Sequence, residues 1–362
     1  MELHQLQLIT NDVLRAMTAC IIIVGSTILF LYDWQQSNHR TNHHHKGTAS
    51  SSCPNPDCIR CQRYRLVQQR AKQRWKWVTT STFTSSTNDD VPQQQPQDLD
   101  RIQQAVHAKH GVLKSSIPNQ APTVVFLPGL RCQPIVTEWH SDVCRRLQAP
   151  GILESIRAEL DCRADDDKLL WGQNDTSQGS WQVLSFLNQG QWDAHLLESY
   201  PTIGNLIQTL PGGCLDKCLF GNAFISKIQP NTKIAPHCGP TNLRHRLQLP
   251  LWVSSVERHS SDKQVKALAA ADKNTVNKND NHKNEIKTGL LVADQLISWT
   301  EGVPFVFDDS LVHSVDYTHN TASSSSERVV LIVDLWHPDL SARERDVLCQ
   351  LYPPFVGVTT ST

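Results

Sequence analysis

Methionine is almost missing from this chain, two in 362 residues, while proline (19) and glycine (16) are plentiful. That balance points away from a helix bundle and toward strands joined by turns. Neither sign of charge is in excess: 34 Lys and Arg against 35 Asp and Glu leave a formal net charge of −1, with no long basic run. Nucleic acid is therefore not expected as a partner, because the phosphate backbone is bound chiefly by clustered positive charge. Internal repeats are also lacking. What is present is enough apolar sequence, 39%, with 19% charged residues, to bury one sizeable core and carry appendages.

Long apolar runs are equally scarce, with one exception. Residues 16–32, AMTACIIIVGSTILFLY, hold no charge and are just long enough to span a bilayer. The long polar lead over 1–12 and the lack of a small-x-small cleavage site favour a retained single-pass anchor over a cleaved signal peptide. Arg15 before the run against Arg40 and Lys46 after it places the C-terminal side in the cytosol. Residues 33–97 read as a polar linker with a histidine run and Ser- and Gln-rich patches. Within it, CPNPDCIRC sets Cys53, Cys58 and Cys61 close together, either as zinc ligands or as one disulfide with a spare thiol. The eleven cysteines are otherwise scattered; Cys214 and Cys218 either close a small loop or stay free. Asn174-Asp-Thr is a glycosylation acceptor if this side faces a lumen.

Residues 98–352 read as the folded domain, followed by a tail over 353–362. Helical spacing runs over 98–113, PTVVFLPGL (122–130) reads as a strand entering a turn, and 152–160 as a short helix. A strand over 181–187 meets a turn at Asn188-Gln-Gly, and a helix over 200–210 stops at Pro211-Gly-Gly. Residues 254–288 are rich in Lys, Asn and Asp and nearly free of large apolar side chains, which marks a surface insertion in a hairpin.

Two stretches carry the chemistry. As a strand, 242–253 alternates Leu243, His245, Leu247, Leu249 and Leu251 with Arg244, Arg246, Gln248 and Trp252. In 328–336, Arg328, Val330, Ile332 and Asp334 share one face, and Val329, Leu331, Val333 and Leu335 the other. Arg246 and Arg328 can thus meet one cavity, where guanidinium binds carboxylate in a two-pronged fashion; the alternative is solvent-facing arginines on edge strands. Each stretch also has a histidine in a turn-forming context: His237 in Pro-His-Cys-Gly, and His313 after Asp308-Asp309-Ser310-Leu311-Val312. With sixteen histidines in the chain, two prove little alone, but imidazole suits iron, copper or zinc. The carboxylate that completes a usual non-haem iron triad, two residues after the first histidine, is replaced here by Gly239.

The stretch HCGPTNLRHRLQLPL, with W-x-x-G-x-x-x-x-FDDS-x-x-H and RVVLIVDLWHPDL-x-x-x-ER, resembles the aspartyl/asparaginyl β-hydroxylase family. Within that family it resembles the membrane-anchored aspartate β-hydroxylase domain-containing proteins, which also place CxNPxCxRC after a transmembrane segment. The resemblance spans about 123–352, the insertion excepted. It implies a mainly β fold, a double-stranded β-helix (jelly roll) with flanking helices behind a single transmembrane helix. It implies Fe(II), with 2-oxoglutarate and O₂ as cosubstrates, and a protein or peptide side chain, Asp or Asn, as substrate. By motif, His237 and His313 are the metal ligands, in a family that lacks the triad carboxylate. Ser226, Arg246 and Arg328 contact 2-oxoglutarate, Trp181 lines its pocket, and Gln248 stands where the family usually has histidine. The family's topology puts the domain in the lumen of the endoplasmic reticulum, against the charge bias. A membrane-tethered binding or scaffold relative without catalysis is the alternative. Asp308 and Asp309 are expected either to orient the His313 loop or to serve its turn.

Overall fold

The computed structural model describes residues 64–84, 99–108, 112–163, 170–174, 176–253, 288–318 and 326–354, with backbone alone at 64–66 and 79–84. The expected anchor over 16–32, the Cys53-Cys58-Cys61 motif and nearly all of the 254–288 insertion lie outside the described residues. Among the described residues, no helix is long and apolar enough to cross a membrane.

The first element is a helix, α1 (Tyr64–Thr84), inside the stretch expected to be a polar linker. Its Val67, Ala71, Trp75 and Val78 recur at helical spacing and are buried, so this part of 33–97 belongs to the folded body. α2 (Asp100–Val106) is shorter than the spacing over 98–113 suggests. The 122–130 segment forms no strand, although Val124, Val125, Leu127 and Leu130 are buried. A 3₁₀ turn over Thr137–His140 leads into α3 (Ser141–Leu147), and α4 (Ile152–Cys162) follows as expected.

The remaining elements are β1 (Gly172–Asn174), β2 (Trp181–Asn188), β3 (Gln191–Trp192), α5 (Ala194–Ser199), α6 (Pro201–Gln208), β4 (Ala223–Ile228), β5 (Thr232–His237), β6 (Arg244–Trp252), β7 (Gly289–Val292), β8 (Gln295–Ile297), β9 (Phe305–Phe307), β10 (His313–Tyr317), β11 (Arg328–Trp336) and α7 (Ala342–Leu351). The β2–β3 hairpin turns through Gln189 and Gly190, both at positive φ (51° and 81°), as a two-residue loop of right-handed strands requires.

The strands make two antiparallel sheets. One runs β1-β2-β4-β11-β6-β9 with β3 added beside β2; the other runs β5-β10-β7-β8. Period-two alternation decides what each face of the large sheet buries. Val329, Leu331, Val333 and Leu335 of β11, with Leu247, Leu249 and Leu251 of β6, meet helices α3 to α6. Val330 and Ile332 of β11 with Phe224 and Ile228 of β4 point the other way, into an apolar layer shared with Leu290, Val292, Val315 and Tyr317 of the second sheet. Trp252 departs from its expected face. A register shift between Val329 and Val330 in the β11–β6 pairing turns it onto the helix side, against the leucines. A third cluster joins α1, α2, the 122–130 segment and α7 at one end.

Candidate active site between the sheets

β5 ends and β10 begins on a histidine, and the two strands pair with His237 directly opposite His313. Both residues therefore stand on paired strand ends rather than on free loops. Their ring centroids are 4.2 Å apart, with planes inclined at 55°. Each ring is anchored by its own chain: Nδ1 of His237 donates to the carbonyl of Ala235 (2.9 Å), and Nδ1 of His313 to that of Leu311 (2.8 Å). A carbonyl only accepts, so the hydrogen sits on Nδ1 and each lone pair sits on Nε2. Burial, then the neighbouring His237, pushes His313 down to about 3, so its imidazole is neutral in ordinary buffer, the state a metal ligand requires.

Gly239 matters beside this pair. A Cβ at that position would lie 2.5 Å from Oδ2 of Asp309, closer than real Cβ atoms approach. The space where a triad carboxylate would begin is filled by Asp309, which is turned away into a buried ion-pair network. Arg244 donates to Asp309 Oδ2 at 2.7 Å and also to Asp334 and the carbonyl of Phe220. Arg246 donates through Nε to Asp334 Oδ1 (2.8 Å) and through Nη2 to Asp334 Oδ2 (3.1 Å), with Asp309 3.7 Å away. Burial pushes the Asp309 carboxyl up, but Arg244 and Arg246 outweigh it and hold the group well below the usual carboxylate range.

Asp308 accepts from the amide and hydroxyl of Ser310 at 2.9 and 2.6 Å, a turn-closing role. Of the two expected roles Asp308 takes the turn-closing one, and the Nδ1 of His313 bonds the carbonyl of Leu311 rather than either aspartate. Burial, partly offset by the Ser310 bonds, raises Asp308 to about 6.

The other expected residues line the inner face of the large sheet. Trp181 of β2 donates through Nε1 to the hydroxyl of Ser226 on β4 at 3.0 Å, both side chains buried. Gln248 of β6 accepts from Nε1 of Trp299 at 2.8 Å, and the guanidinium of Arg328, 2% exposed, stacks 3.9 Å over that indole. Sequence reasoning assigned Trp299 no role, although it heads the W-x-x-G stretch; its fixed place in that motif was the available signal. Arg246 and Arg328 do share a face of the sheet. They do not meet: Arg246 pairs opposite Asp334, six residues along β11 from Arg328, or about 20 Å at ~3.3 Å per residue. They stand toward opposite ends, Arg246 by the histidine pair and Arg328 beyond Gln248 and Trp299. Both strands are interior to the sheet, which disposes of the edge-strand alternative.

The donor set suits a divalent ion such as iron held by two imidazoles with its remaining positions open. Among the described residues, no group of three or more His, Cys, Asp or Glu side chains is arranged to hold a metal. Buried arginine, serine and indole donors nearby suit an acid with two carboxylates.

Residues 153–338, about half the chain, match the model of the family described as Aspartyl/Asparaginyl beta-hydroxylase. Aspartate beta-hydroxylase domain-containing protein 2 of Rattus norvegicus is 27% identical over 320 residues, covering 84% of this chain and 77% of that protein. Aspartyl/asparaginyl beta-hydroxylase of Homo sapiens is 28% identical over 173 residues, 48% of this chain and 18% of that protein. Among solved structures, an oxidoreductase of the 2OG-Fe(II) oxygenase family from Burkholderia pseudomallei aligns over 56% of this chain and 92% of its own, with 12% identity and a TM-score of 0.30. By the half of its length that fits the family model, with the histidine pair and the arginine-bearing strands inside that span, this chain belongs to the aspartyl/asparaginyl beta-hydroxylase family.

Proposed function

We propose that this chain is an Fe(II)- and 2-oxoglutarate-dependent dioxygenase that hydroxylates a protein side chain, Asp or Asn by the family's name. The observation that carries the reading is the cross-strand pair of His237 and His313, each ring locked by its Nδ1 bond so that Nε2 holds the lone pair. In this reading the two imidazoles hold iron, and the bound iron supplies oxygen activation coupled to decarboxylation of the keto acid. The protein's own part is binding and exclusion. Arg328, with Ser226 and Gln248 on the same face of the sheet, offers charge and hydrogen bonds for one carboxylate, and Arg246 adds positive charge at the histidine end. Trp181, Trp299 and Phe307 keep the space apolar, which limits side reactions of a strong oxidant. The two sheets sharing one apolar layer are read as the double-stranded β-helix. The anchor over 16–32 and a luminal domain complete the proposal.

Anaerobic titration of the protein with Fe(II) and then 2-oxoglutarate tests it, read by the metal-to-keto-acid charge-transfer band. Wild type is expected to develop the band, His237→Ala to lose it, and Arg328→Ala to need at least about tenfold more keto acid, the loss of one charge-assisted contact. A folded wild type without a band at saturating ligand would replace this reading with the binding or scaffold one. That alternative draws on Gln248, which accepts from Trp299 and carries no charge where the family usually has histidine.

A further inference from the structure

Cysteine offers a site that the proposed chemistry does not use. Cys214 and Cys218, close in sequence, sit in different apolar clusters, and both are free thiols. Cys218 instead lies in the apolar cluster against which Cys349 of α7 packs, and the two thiols perturb each other. The contact is framed by the backbone. The amide of Leu219 donates to the carbonyl of Tyr352 at 2.8 Å, and the rings of Phe220 and Tyr352 are tilted together at 5.2 Å. On the other side Gly190 lies so close that a Cβ there would meet the Cys218 carbonyl oxygen at 2.4 Å. Both ends of the thiol pair are thus set by packing.

The two sulfurs are also unequal in a useful way. Cys218 is fully buried, while Cys349 is partly exposed on α7. Burial raises the Cys218 thiol well above the ordinary value while proximity to Cys218 lowers that of the more accessible Cys349, so Cys349 is the readier thiolate.

From this geometry we infer that Cys218 and Cys349 are a disulfide-forming pair that staples α7 to the loop before β4. The reaction needs a small disulfide such as oxidised glutathione as oxidant. The Cys349 thiolate attacks one glutathione sulfur, forming a mixed disulfide and expelling the other half as thiolate. The Cys218 sulfur then attacks the Cys349 sulfur, giving up its proton to the second glutathione as that leaves. The pair loses two electrons and two protons, and one oxidised glutathione becomes two reduced ones. The loop it would pin is connected to the site, since Phe220 and Asn222 bond Arg244 and Asp334.

The test is disulfide mapping on the full chain, equilibrated in glutathione buffers of rising oxidised fraction, quenched in acid, unfolded, alkylated and digested. The expected result is a Cys218–Cys349 linked peptide that grows with the oxidised fraction, and a thermal midpoint about 5 °C higher than in the reduced protein. Cys349→Ser should abolish the shift, and Cys162→Ser, at an exposed thiol, should leave it. If Cys162 is fully oxidised while Cys218 and Cys349 are still alkylated singly, the inference fails. A glutathione adduct on Cys349 with Cys218 still a thiol overturns it too. Because the mapping is done on wild type, a variant that folds poorly does not blunt the test.

Discussion

Position 239 shows how one missing atom decides what a site can be. With a Cβ 2.5 Å from Asp309 Oδ2 and 2.9 Å from its carbonyl oxygen, even alanine must push the aspartate off Arg244. Gly239→Ala is expected to cost about 1–3 kcal/mol as overpacking. Gly239→Asp should cost more, because it also buries a second carboxylate against Asp309. Urea midpoints of the two variants check this, and an aspartate variant as stable as wild type with tighter Fe(II) binding would refute it. Asp334 is the complementary case. It neutralises Arg244 and Arg246 together and accepts from Asn222, and it is completely buried. Asp334→Ala removes one buried charge and leaves Arg244 and Arg246 to share Asp309, so a loss of roughly 3–5 kcal/mol is expected, with equilibrium unfolding as the measurement.

At the scale of elements, β6 exposes a histidine to the helix side as well as arginines to the site. His245 accepts or donates to Nε2 of His140 at 2.9 Å, and its ring lies 4.3 Å from that of His337. Burial lowers all three, His140 to about 4 with a further push from His337, and His245 well below the ordinary value. The unfolded chain titrates these groups near 6.5, so between about 6.5 and 4 it takes up protons that the folded chain refuses. Their contribution is therefore complete above pH ~6.5 and falls as pH drops, by roughly 3 kcal/mol for His140 alone once pH reaches its folded value. Melting temperatures at pH 7.5 and 5.0 should show a smaller drop for His245→Leu than for wild type; equal drops would count against the cluster as the acid-sensitive element.

Elements also separate what was legible in the sequence from what was not. β6 and β11 could be read because each face of the large sheet buries a different layer, so alternation survives in the residues. The histidines and five cosubstrate candidates came from ordered motifs, and the structure gathers four of the five into two contacts, Trp181 with Ser226 and Gln248 through Trp299 to Arg328. Residues 122–130 misled because their apolar side chains are buried without a ladder. Leu127 spends its amide and carbonyl on the side chain of Asn242 (2.8 and 2.9 Å), and Val124 and Val125 donate to the carbonyl of Pro240. A partner more than a hundred residues away leaves no local mark. The bulge that turns Trp252 over is likewise a property of the β6–β11 register, not of β6 alone.

On the scale of the whole molecule, α1 changes where the folded body begins. Its polar composition hides a narrow stripe: Val67, Ala71, Trp75 and Val78 enter a cluster with Ile102 and Val106 of α2 and Val347, Leu348 and Leu351 of α7. Polar side chains fasten it further, Gln68 to the carbonyl of Val124 at 2.6 Å and Arg74 to that of Leu351 at 3.1 Å. α2 in turn grips α7 through Arg101, which forks onto Glu344 at 2.6 and 2.8 Å, the same glutamate that closes the Ser341 capping box. Without α1, the apolar faces of α2, α7 and the 122–130 segment would be bared together. A chain truncated to begin at residue 98 is therefore expected to be less stable than one beginning at 57, and to aggregate on heating. Trp75→Ala in the longer chain isolates the packing, at an expected cost of about 3 kcal/mol, or a midpoint lower by several degrees. The histidine pair lies on other strands, so Fe(II) binding by the folded fraction should be unchanged. Equal stability of the two chains would mean that α1 rests on the body without supporting it.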